Sequence, residues 1–510
     1  MSVHAVKPAQ LLTEQADRLR LAVSKLLDPG QRSRMGQFFT PAPVARFMAT
    51  LFEADRDEIR LLDAGAGIGS LTAAFVEETI SRPHPPRTVH VTAYEMDPLV
   101  ATHLRPMLDS CRAACEEAGV AFAADLREED FIRAGAGMLG GRLFEAPALS
   151  FNCAILNPPY RKIHSDSQAR RLLREAGIET SNLYTAFLAL VVRLLAPGGE
   201  LVAITPRSFC NGPYFKPFRK AFLRDMSLKR IHVFESREAA FRDDEVLQEN
   251  VILHAVKGGE RSRVKVSSSA GPRDFEGSAH EVDYDRVVCP DDAERFIRIT
   301  VNGADERIAE RMTLFRASLD DLGLSVSTGP VVDFRARRWL RDLPDQRTVP
   351  LIYPCHFDAG YVRWPRSDAK KPNAIVRVSR TENLLVPGGA YVLVKRFSAK
   401  EEPRRIVAAV FDPARIPSER VGIENHLNYF HARGKGLPLD MAKGLALYLN
   451  SSLVDAFFRQ FSGHTQVNAT DLRNMRYPTA SQLAAMGGRL GGNFPSQTDI
   501  DRIVEEEAQT

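Results

Sequence analysis

Apolar runs of strand length recur along residues 31–257 and alternate with stretches of helical spacing. The clearest runs lie at residues 59–62, 89–93, 151–156, 201–204 and 250–256. Between the third and the fourth run, residues 181–188 carry apolar positions at the spacing of a buried helix face. Strands that alternate with helices predict a largely parallel sheet with helices on both faces, which is the α/β class.

The N-terminal residues 1–30 predict an amphipathic helix, because leucines recur among polar residues up to a stop at Asp28, Pro29 and Gly30. We expect this helix to pack as a cap on the domain formed by residues 31–257.

At 510 residues the chain exceeds the size of one hydrophobic core, so a second domain is expected. Residues 258–300 are polar and rich in Gly, Ser and charge, which predicts an interdomain region. Residues 301–490 contain short apolar runs separated by Pro and Gly, which predicts a second domain of the α+β type. Residues 491–510 are predicted to form a polar tail.

Composition and charge exclude few function classes. The formal net charge is only +4, so any argument for nucleic-acid binding must rest on local clusters of charge. No apolar run reaches the length of a membrane span, and the N-terminus lacks a secretory pattern, so a cytoplasmic location is expected. Six cysteines give no disulfide framework, and Cys111 and Cys115 lack the partner set of a metal site, so no metal is expected.

The most informative chemical motif is Asn157-Pro158-Pro159-Tyr160, which directly follows the apolar run 151–156. Neither proline can donate a backbone N–H, so the strand ends there in a rigid turn. The Asn157 amide oxygen and the Pro158 carbonyl can accept the two hydrogens of an exocyclic amine. The Tyr160 ring can stack on the planar group that carries this amine. An ordinary turn at a strand end has the same letters, so the context must decide.

Two further strand ends supply that context. Residues 59–72 predict a strand, a turn with Gly65, Gly67 and Gly69, and a helix start. Alternate glycines permit positive φ and let a ligand approach the backbone, while the helix N-terminus offers free N–H groups. The next strand ends in Glu95, where a carboxylate can accept both ribose hydroxyls of a nucleoside cofactor. A solvated acid at a strand end is the open alternative.

These motifs, in this order, resemble those of S-adenosylmethionine-dependent DNA adenine-N6 methyltransferases of the gamma arrangement. The resemblance implies cofactor contacts from Gln37, Phe39, Thr40, Asp63, Gly65, Gly67, Glu95, Asp130, Phe131 and Asn157. It implies substrate contacts from Asn157, Pro158, Pro159, Tyr160 and Phe241. Phe234 competes with Phe241 for the place against the flipped base, and core packing is the alternative for either. The resemblance covers about residues 30–256, and the C-terminal half is less specifically similar to recognition regions of PstI- and XhoI-type modification methylases.

The resemblance implies a class I methyltransferase fold, Rossmann-like, with a mostly parallel sheet of seven strands and residues 250–256 in an antiparallel edge hairpin. It implies methyl transfer from S-adenosyl-L-methionine to N6 of an adenine that is flipped out of a specific double-stranded DNA sequence. A modification enzyme of this kind protects bacterial DNA from a restriction endonuclease, which we expect to be a separate protein. We expect the methyltransferase to be a monomer.

Basic and aromatic residues alternate after residue 330, which indicates where duplex DNA is read. Arg and Lys offer contacts to phosphates and base edges, and aromatic rings pack on sugars or bases. We expect DNA contacts from Arg335, Arg337, Arg338, Trp339, Arg363, Lys395, Arg396, His464 and Gln466. A solvated charged face with half-buried aromatic residues is the open alternative for each cluster.

Two rival functions remain open at this stage. The first is methyl transfer to another amine, such as guanine N2 in RNA or a glutamine side chain in a protein. The basic and aromatic C-terminal region and the segment Phe38 to Pro41 favour DNA over both. The second is a non-catalytic DNA-recognition subunit, which is disfavoured because every position of the catalytic motif is intact. The sequence does not specify which DNA sequence is recognised.

Overall fold

The computed structural model describes residues 12–27, 38–139, 150–234, 249–269, 271, 275, 279–301, 303–368, 370–398, 402–461 and 466–509. Contacts divide the chain into two compact units, Met1–Val301 and Asn302–Thr510. Each unit has buried hydrophobic clusters of its own. In the described part of the chain, no helix is long and apolar enough to cross a membrane.

The first unit is built on a sheet of nine strands. They span Glu58–Ala64 (β1), Thr88–Tyr94 (β2), Ala121–Arg127 (β3), Phe151–Leu156 (β4), Leu195–Pro206 (β5), Met226–Phe234 (β6), Asn250–Lys257 (β7), Arg263–Ser269 (β8) and Ala279–Asp283 (β9). Their order is β3–β2–β1–β4–β5–β7–β6–β8–β9. The first five strands in this order are parallel, whereas β7 runs antiparallel to both β5 and β6. The α/β class predicted from the sequence is confirmed.

Helices cover both faces of this sheet. They span Leu12–Leu26 (α1), Ala42–Ala49 (α2), Ser70–Ile80 (α3), Pro98–Glu117 (α4), Phe131–Leu139 (α5), Gln168–Glu175 (α6), Leu183–Leu194 (α7), Lys216–Asp225 (α8) and Tyr284–Val287 (α9). Residues of α1 to α4 form one hydrophobic core with one face, and residues of α5 to α9 form a second core with the other face. The central strands are therefore covered on both sides, which is why every residue of β4 is buried.

The prediction of an interdomain region at residues 258–300 is wrong. Strands β8 and β9 lie there and extend the sheet from the expected seven strands to nine, so β7 lies inside the sheet and not at its edge. Val264 and Val266 are fully buried, while the alternate Arg263 and Lys265 are exposed. This alternation is typical of a strand with one solvated face, and the polar composition of the surrounding residues hides it.

The second unit contains two smaller sheets with helices beside them. Its strands span Ser325–Thr328 (β10), Leu340–Arg341 (β11), Thr348–Ile352 (β12), Phe357–Asp358 (β13), Tyr361–Val362 (β14), Ala374–Val376 (β15), Leu385–Pro387 (β16), Tyr391–Lys395 (β17), Ala408–Phe411 (β18), Arg420–Ile423 (β19) and Leu427–His431 (β20). One sheet has the order β10–β20–β17–β18–β14–β13, and the other has the order β11–β15–β12–β19–β16. The helices span Gly303–Met312 (α10), Asp333–Ala336 (α11), Leu439–Leu449 (α12), Ser452–Phe461 (α13), Ala469–Arg473 (α14), Ala480–Gly488 (α15) and Gln497–Ala508 (α16).

The prediction of a polar tail at residues 491–510 is also wrong, because α16 lies there. Ile500, Ile503 and Val504 are buried and follow the i, i+3, i+4 spacing of one helix face. Three apolar residues among many acidic ones give little signal in the composition. They are enough to hold a three-turn helix against the rest of the second unit.

Candidate active site

The carboxyl ends of β1, β2 and β4 meet at one edge of the first sheet, because these neighbouring strands are parallel. A cleft of about 240 Å³ lies at this edge. The sequence-predicted residues that line it are Phe39, Gly65, Gly67, Glu95, Asp130, Phe131, Asn157 and Pro159. The fold therefore brings the separate sequence motifs together in one place.

The turn after β1 has the backbone conformation that its glycines predict. The angle φ is positive at Gly65 (80°), Gly67 (58°) and Gly69 (87°), a region that other residues rarely adopt. The Gly65 N–H donates to the Tyr94 carbonyl at 2.9 Å, which ties the turn to the end of β2. A Cβ atom at Gly67 would lie 3.0 Å from the Phe39 ring. A side chain at Gly67 would thus crowd the wall of the cleft.

Asp63 is fully buried near the end of β1. Thr72, in the first turn of α3, donates its hydroxyl to Asp63 Oδ2 at 2.6 Å. The other oxygen, Oδ1, has no hydrogen-bond partner among the described residues. Burial raises the pKa of Asp63 to about 7, although the Thr72 hydrogen bond opposes this effect. A positively charged ligand nearby would favour the ionised carboxylate.

Glu95 directly follows β2 and is 5% exposed. Its two oxygens accept the backbone N–H groups of Gly67 at 2.9 Å and of Asp97 at 2.8 Å. Burial raises the pKa of Glu95 above its usual value, against the lowering effect of these two hydrogen bonds. Each carboxylate oxygen has a further lone pair, so Glu95 can also accept hydroxyl groups from a ligand in the cleft.

Asp130 and Phe131 lie at the start of α5. Asp130 Oδ1 accepts the Ile132 N–H at 2.9 Å, which satisfies one of the free donors of the helix N-terminus. The Phe131 ring is 2% exposed and lies 5.1 Å from each of the rings of Tyr94 and Phe187. Phe131 thus forms part of a tightly packed apolar wall of the cleft, and Asp130 adds a polar group beside it.

The Asn157 side chain is oriented by the segment at residues 38–40. Its Nδ2 donates to the Phe38 carbonyl at 2.8 Å and to the Thr40 hydroxyl at 3.1 Å, so both amide hydrogens are engaged. Its Oδ1 accepts the Tyr160 hydroxyl at 3.0 Å and has a second lone pair. The amide oxygen is therefore the group that can accept a hydrogen from a substrate. Thr40 acts on Asn157 and is not part of the cleft wall.

Tyr160 is half-buried beside Asn157. Its hydroxyl lies 3.0 Å from Asn157 Oδ1 and 3.3 Å from the Ile204 carbonyl oxygen. The ring centroid lies 6.0 Å from that of Phe38 and 6.3 Å from that of Tyr184. Burial raises the pKa of this hydroxyl well above its usual value, so it is a hydrogen-bond donor at neutral pH. Pro158 is buried, and the role of Tyr160 in stacking stays a prediction.

Three predicted site residues, Gln37, Phe241 and His464, lie outside the described residues. Phe234, the competitor of Phe241, is the last residue of β6 and is 1% exposed. Its ring packs edge-on against His232 at 5.2 Å. For Phe234, the alternative of core packing holds.

In the second unit, three predicted DNA contacts, Arg335, Arg396 and Gln466, lie on chain segments that β-bridges connect to one surface region. We call this the Phe397 surface, and its members are Phe334, Arg335, Arg396, Phe397, His426 and Gln466. Phe397 is 45% exposed, and the Arg396 guanidinium lies 5.8 Å from the centre of its ring. Gln466 faces Phe397 across an antiparallel bridge. The centre of the His426 ring lies 4.9 Å from the centre of the Phe397 ring.

The segment that carries Arg335 adjoins the same surface. Val331 faces Glu424 across a parallel bridge, and the Glu424 carboxylate lies 2.6 Å from the His426 ring nitrogen. Three residues after Val331, Phe334 is 72% exposed, and the Arg335 guanidinium lies 5.5 Å from its ring. The structure thus joins sequence clusters that lie far apart along the chain.

The remaining predicted DNA contacts have other surroundings. The Arg338 guanidinium lies 4.0 Å from the centre of the Trp339 ring, which packs on a buried cluster. Arg363 forms an ion pair with Asp358 at 3.3 Å. Arg337 is exposed, and Lys395 is half-buried. None of these five predicted residues, Arg337, Arg338, Trp339, Arg363 and Lys395, is a member of the Phe397 surface.

Sequence reasoning missed several residues of the cleft, among them Met96, Arg161, Leu183 and Phe187. Met96 and Arg161 each directly follow a predicted site residue, so the motifs themselves were a signal for them. Leu183 and Phe187 belong to α7 and reach the cleft only through the packing of that helix on the sheet.

Comparisons with known proteins agree with this arrangement. A family model described as Eco57I restriction-modification methylase matches residues 125–241, which include the Asn157 turn. The chain is 46% identical to Type II methyltransferase M.PstI of Providencia stuartii, over 97% of this chain and 96% of that protein. It is 45% identical to Type II methyltransferase M.BsuBI of Bacillus subtilis, over 97% of this chain and 98% of that protein.

Among solved structures, the fold is similar to that of the type IIL restriction-modification enzyme MmeI in complex with DNA. The TM-score is 0.54 at 10% identity, over 97% of this chain and 75% of that one, which shows a shared fold. Sequence identity near one half, over almost the full length of both proteins, shows more than a fold. The chain belongs to the type II methyltransferases of restriction–modification systems.

Proposed function

We propose that the protein transfers a methyl group from S-adenosyl-L-methionine to N6 of an adenine that is flipped out of a specific DNA duplex. The observation that carries this proposal is the orientation of Asn157. Its two N–H hydrogens are engaged by Phe38 and Thr40, so its oxygen remains as an acceptor for an amine. This oxygen belongs to a residue of the cleft wall, next to the glycine turn.

The cleft residues fit S-adenosyl-L-methionine. Gly67 leaves room that a Cβ atom would fill, and the nearly buried Glu95 can accept ribose hydroxyls. Asp63 is buried and is not part of the cleft wall, but one of its oxygens has no hydrogen-bond partner in the described chain, so a cation bound in the cleft would stabilise its ionised form. The bound cofactor supplies an electrophilic methyl group on a sulfonium. The protein side of the reaction is to hold the acceptor nitrogen in line with that group.

Asn157 and Pro158 meet the main chemical difficulty of this reaction. The lone pair of adenine N6 is conjugated with the ring and is a poor nucleophile. Hydrogen bonds from the amine to Asn157 Oδ1 and to the Pro158 carbonyl localise the lone pair on nitrogen and aim it at the methyl group. Positioning and electrostatics then supply most of the acceleration. Cys153 on β4 is buried, which raises the pKa of its thiol to about 12 and leaves it unsuited as a nucleophile.

An adenine inside a duplex cannot reach Asn157, so the base must leave the stack. We assign the Tyr160 ring as its stacking partner, which offsets part of the unstacking cost by about 1–3 kcal/mol. The Tyr160 hydroxyl and the substrate amine can share Asn157 Oδ1, because a carbonyl oxygen accepts two hydrogen bonds.

The Phe397 surface of the second unit is the proposed reader of the DNA sequence. Two exposed aromatic rings, Phe334 and Phe397, each lie beside a guanidinium group. Arginine can bind a guanine edge with two hydrogen bonds, and Gln466 can do the same for adenine. The separate restriction endonuclease of the system would recognise the same site, which methylation protects.

The direct test is to incubate the purified protein with plasmid DNA and the cofactor, and to digest the product to nucleosides. We expect N6-methyladenine, and single-molecule sequencing of the intact product then gives the modified site. A methyl group on cytosine, or a product that contains no N6-methyladenine, would contradict the proposal. The Asn157→Ala variant serves as the control for activity carried over from the host.

A further inference from the structure

A basic segment directly follows the catalytic turn. Residues 161–175 carry five Lys and Arg residues against two carboxylates. The formal net charge of the whole chain is only +4, so this excess is local. Two residues of this segment, Arg161 and Ala169, line the cleft.

Two of these cations, Arg161 and Lys162, lie on a backbone that is held firmly. The Ile163 N–H donates to the Ser181 carbonyl at 2.8 Å, and the Leu183 N–H donates to the Arg161 carbonyl at 2.8 Å. The Ile163 side chain packs against the hydrophobic core. The backbone from which both side chains extend is therefore held against residues 181–183 before any ligand binds.

The side chains of Arg161 and Lys162 are exposed and form no ion pair within the described residues. Two neighbours in the same segment differ, because Arg170 and Arg174 both pair with Glu179. Unpaired cations on a preorganised backbone are typical of a surface that meets an anionic partner, and DNA phosphates are such a partner.

The two cations serve different places. Arg161 lines the cleft together with Asn157 and Pro159, whereas Lys162 is not in the cleft wall. Lys162 faces Asn182 across an antiparallel bridge. Successive side chains of a backbone in such a bridge point to opposite sides, so Arg161 and Lys162 are not placed to share one anion. A flipped nucleotide has one phosphate on its 5′ side and another on its 3′ side.

We propose that Arg161 and Lys162 bind the two phosphates that flank the flipped nucleotide of the target strand. This inference rests on the proposed function and adds to it a contact that does not depend on sequence. Phosphate contacts position a strand, and base contacts specify it. The first unit would hold the target strand, while the second unit reads the site.

The test compares Arg161→Gln, Lys162→Gln and the double variant with the wild type. Arg87→Gln is the control for the loss of one cation elsewhere on the first unit, because Arg87 is 84% exposed, directly precedes β2 and lies 3.9 Å from Asp57, at the limit of an ion pair. It therefore lies at the amino end of the parallel strands, opposite the cleft. The charge-conserving variants Arg161→Lys and Lys162→Arg show whether charge or side-chain shape is responsible. Thermal melting checks that each variant is folded.

The measurement is DNA binding across a salt series, with a duplex that carries the mapped site and a random duplex of equal length. Each lost phosphate contact should flatten the slope of log K against log salt by about 0.9, and the double variant by about twice that. The duplex that carries the site should lose more affinity than the random duplex, because only its target nucleotide is flipped out between the two phosphates. Arg87→Gln and the charge-conserving variants should keep the wild-type slope.

Equal slopes for the wild type and the double variant would overturn the inference. So would weaker cofactor binding by Arg161→Gln without DNA, measured by calorimetry, because Arg161 would then serve the cofactor. Failure of the proposed function has a different signature. In that case the wild type produces no N6-methyladenine, whatever the salt dependence of its binding.

Discussion

Replacement of Asn157 by alanine separates the chemical step from binding. The change removes the oxygen that would accept the substrate amine, and it removes the N–H donors to Phe38 and Thr40. The first loss acts on the reaction, and the second acts on the stability of the fold. A single mutant therefore cannot assign the cause, and a control with the second loss alone is needed.

Asn152 provides that control, because it lies on β4, the strand that Asn157 directly follows. It is 8% exposed, and its amide accepts the Arg60 N–H at 2.8 Å and donates to the Glu58 carbonyl at 2.7 Å. It lies near the amino end of β4, at the edge of the sheet opposite to Asn157. Asn152→Ala should cost about 1–3 kcal/mol of folding free energy, because the backbone partners are left unpaired. It should leave kcat unchanged.

Asn157→Ala should lower kcat by about 10²–10³-fold, which corresponds to the loss of one aligned group of a preorganised site. Its cost in folding free energy should be similar to that of Asn152→Ala. The assays are steady-state methylation of a duplex that carries the mapped site, urea unfolding, and calorimetry with the cofactor. Methylation by Asn157→Ala within tenfold of the wild type would refute the role of Asn157. An equal loss of kcat in Asn152→Ala would assign the effect to the fold.

Three further predictions concern the cofactor, the pH and the DNA. Glu95→Ala should weaken cofactor binding by about 1.5–3 kcal/mol in calorimetry, because a charged hydrogen-bond partner is lost; an unchanged Kd would exclude Glu95 as the ribose acceptor. Asp63→Asn should gain stability over the wild type as the pH rises from about 4 to about 7, by up to about 4 kcal/mol in urea unfolding. The reason is that folded Asp63 keeps its proton up to a pKa of about 7, while the unfolded chain releases it near 3.8; a constant difference across this range would contradict the raised pKa. Arg335→Gln and Arg396→Gln should each have one of two effects on DNA binding. A lost phosphate contact flattens the slope of log K against log salt by about one unit, and a lost base contact costs about 1–3 kcal/mol of binding free energy at one base pair. Wild-type binding by both variants would mean that the Phe397 surface is a solvated face.

Local sequence signals predicted the parts of the site that depend on local structure. Glycines at positions 65, 67 and 69 permit a turn with positive φ that other residues rarely adopt, and the structure has this turn. The acid after β2 and the double proline after β4 were predicted because each stands where an apolar run ends. Such features need only a few neighbouring residues, so the sequence alone is sufficient to predict them.

The parts that the sequence did not predict depend on contacts between distant residues. Phe187 reaches the cleft because α7 packs on the sheet, and no motif marks it. Residues 263–269 form a strand because Val264 and Val266 find a place in the core beside β6, although most of their neighbours are polar. Ile500, Ile503 and Val504 similarly bury one face of a helix that is otherwise acidic. In each case a few buried apolar residues determine the structure. The predictions of an interdomain region and of a tail were based on the average composition, which is polar.

The contacts of Asn157 change the meaning of the motif at residues 37–41. That motif suggested cofactor contacts alone, and Phe39 does line the cleft. Two neighbours of Phe39, however, supply the acceptors that orient the Asn157 amide, namely the Phe38 carbonyl and the Thr40 hydroxyl. The same short segment therefore forms part of the cleft wall and leaves the Asn157 oxygen as the atom that can accept a further hydrogen bond. This arrangement gives a physical reason to treat the segment and the Asn157 turn, more than a hundred positions apart in the chain, as one structural unit.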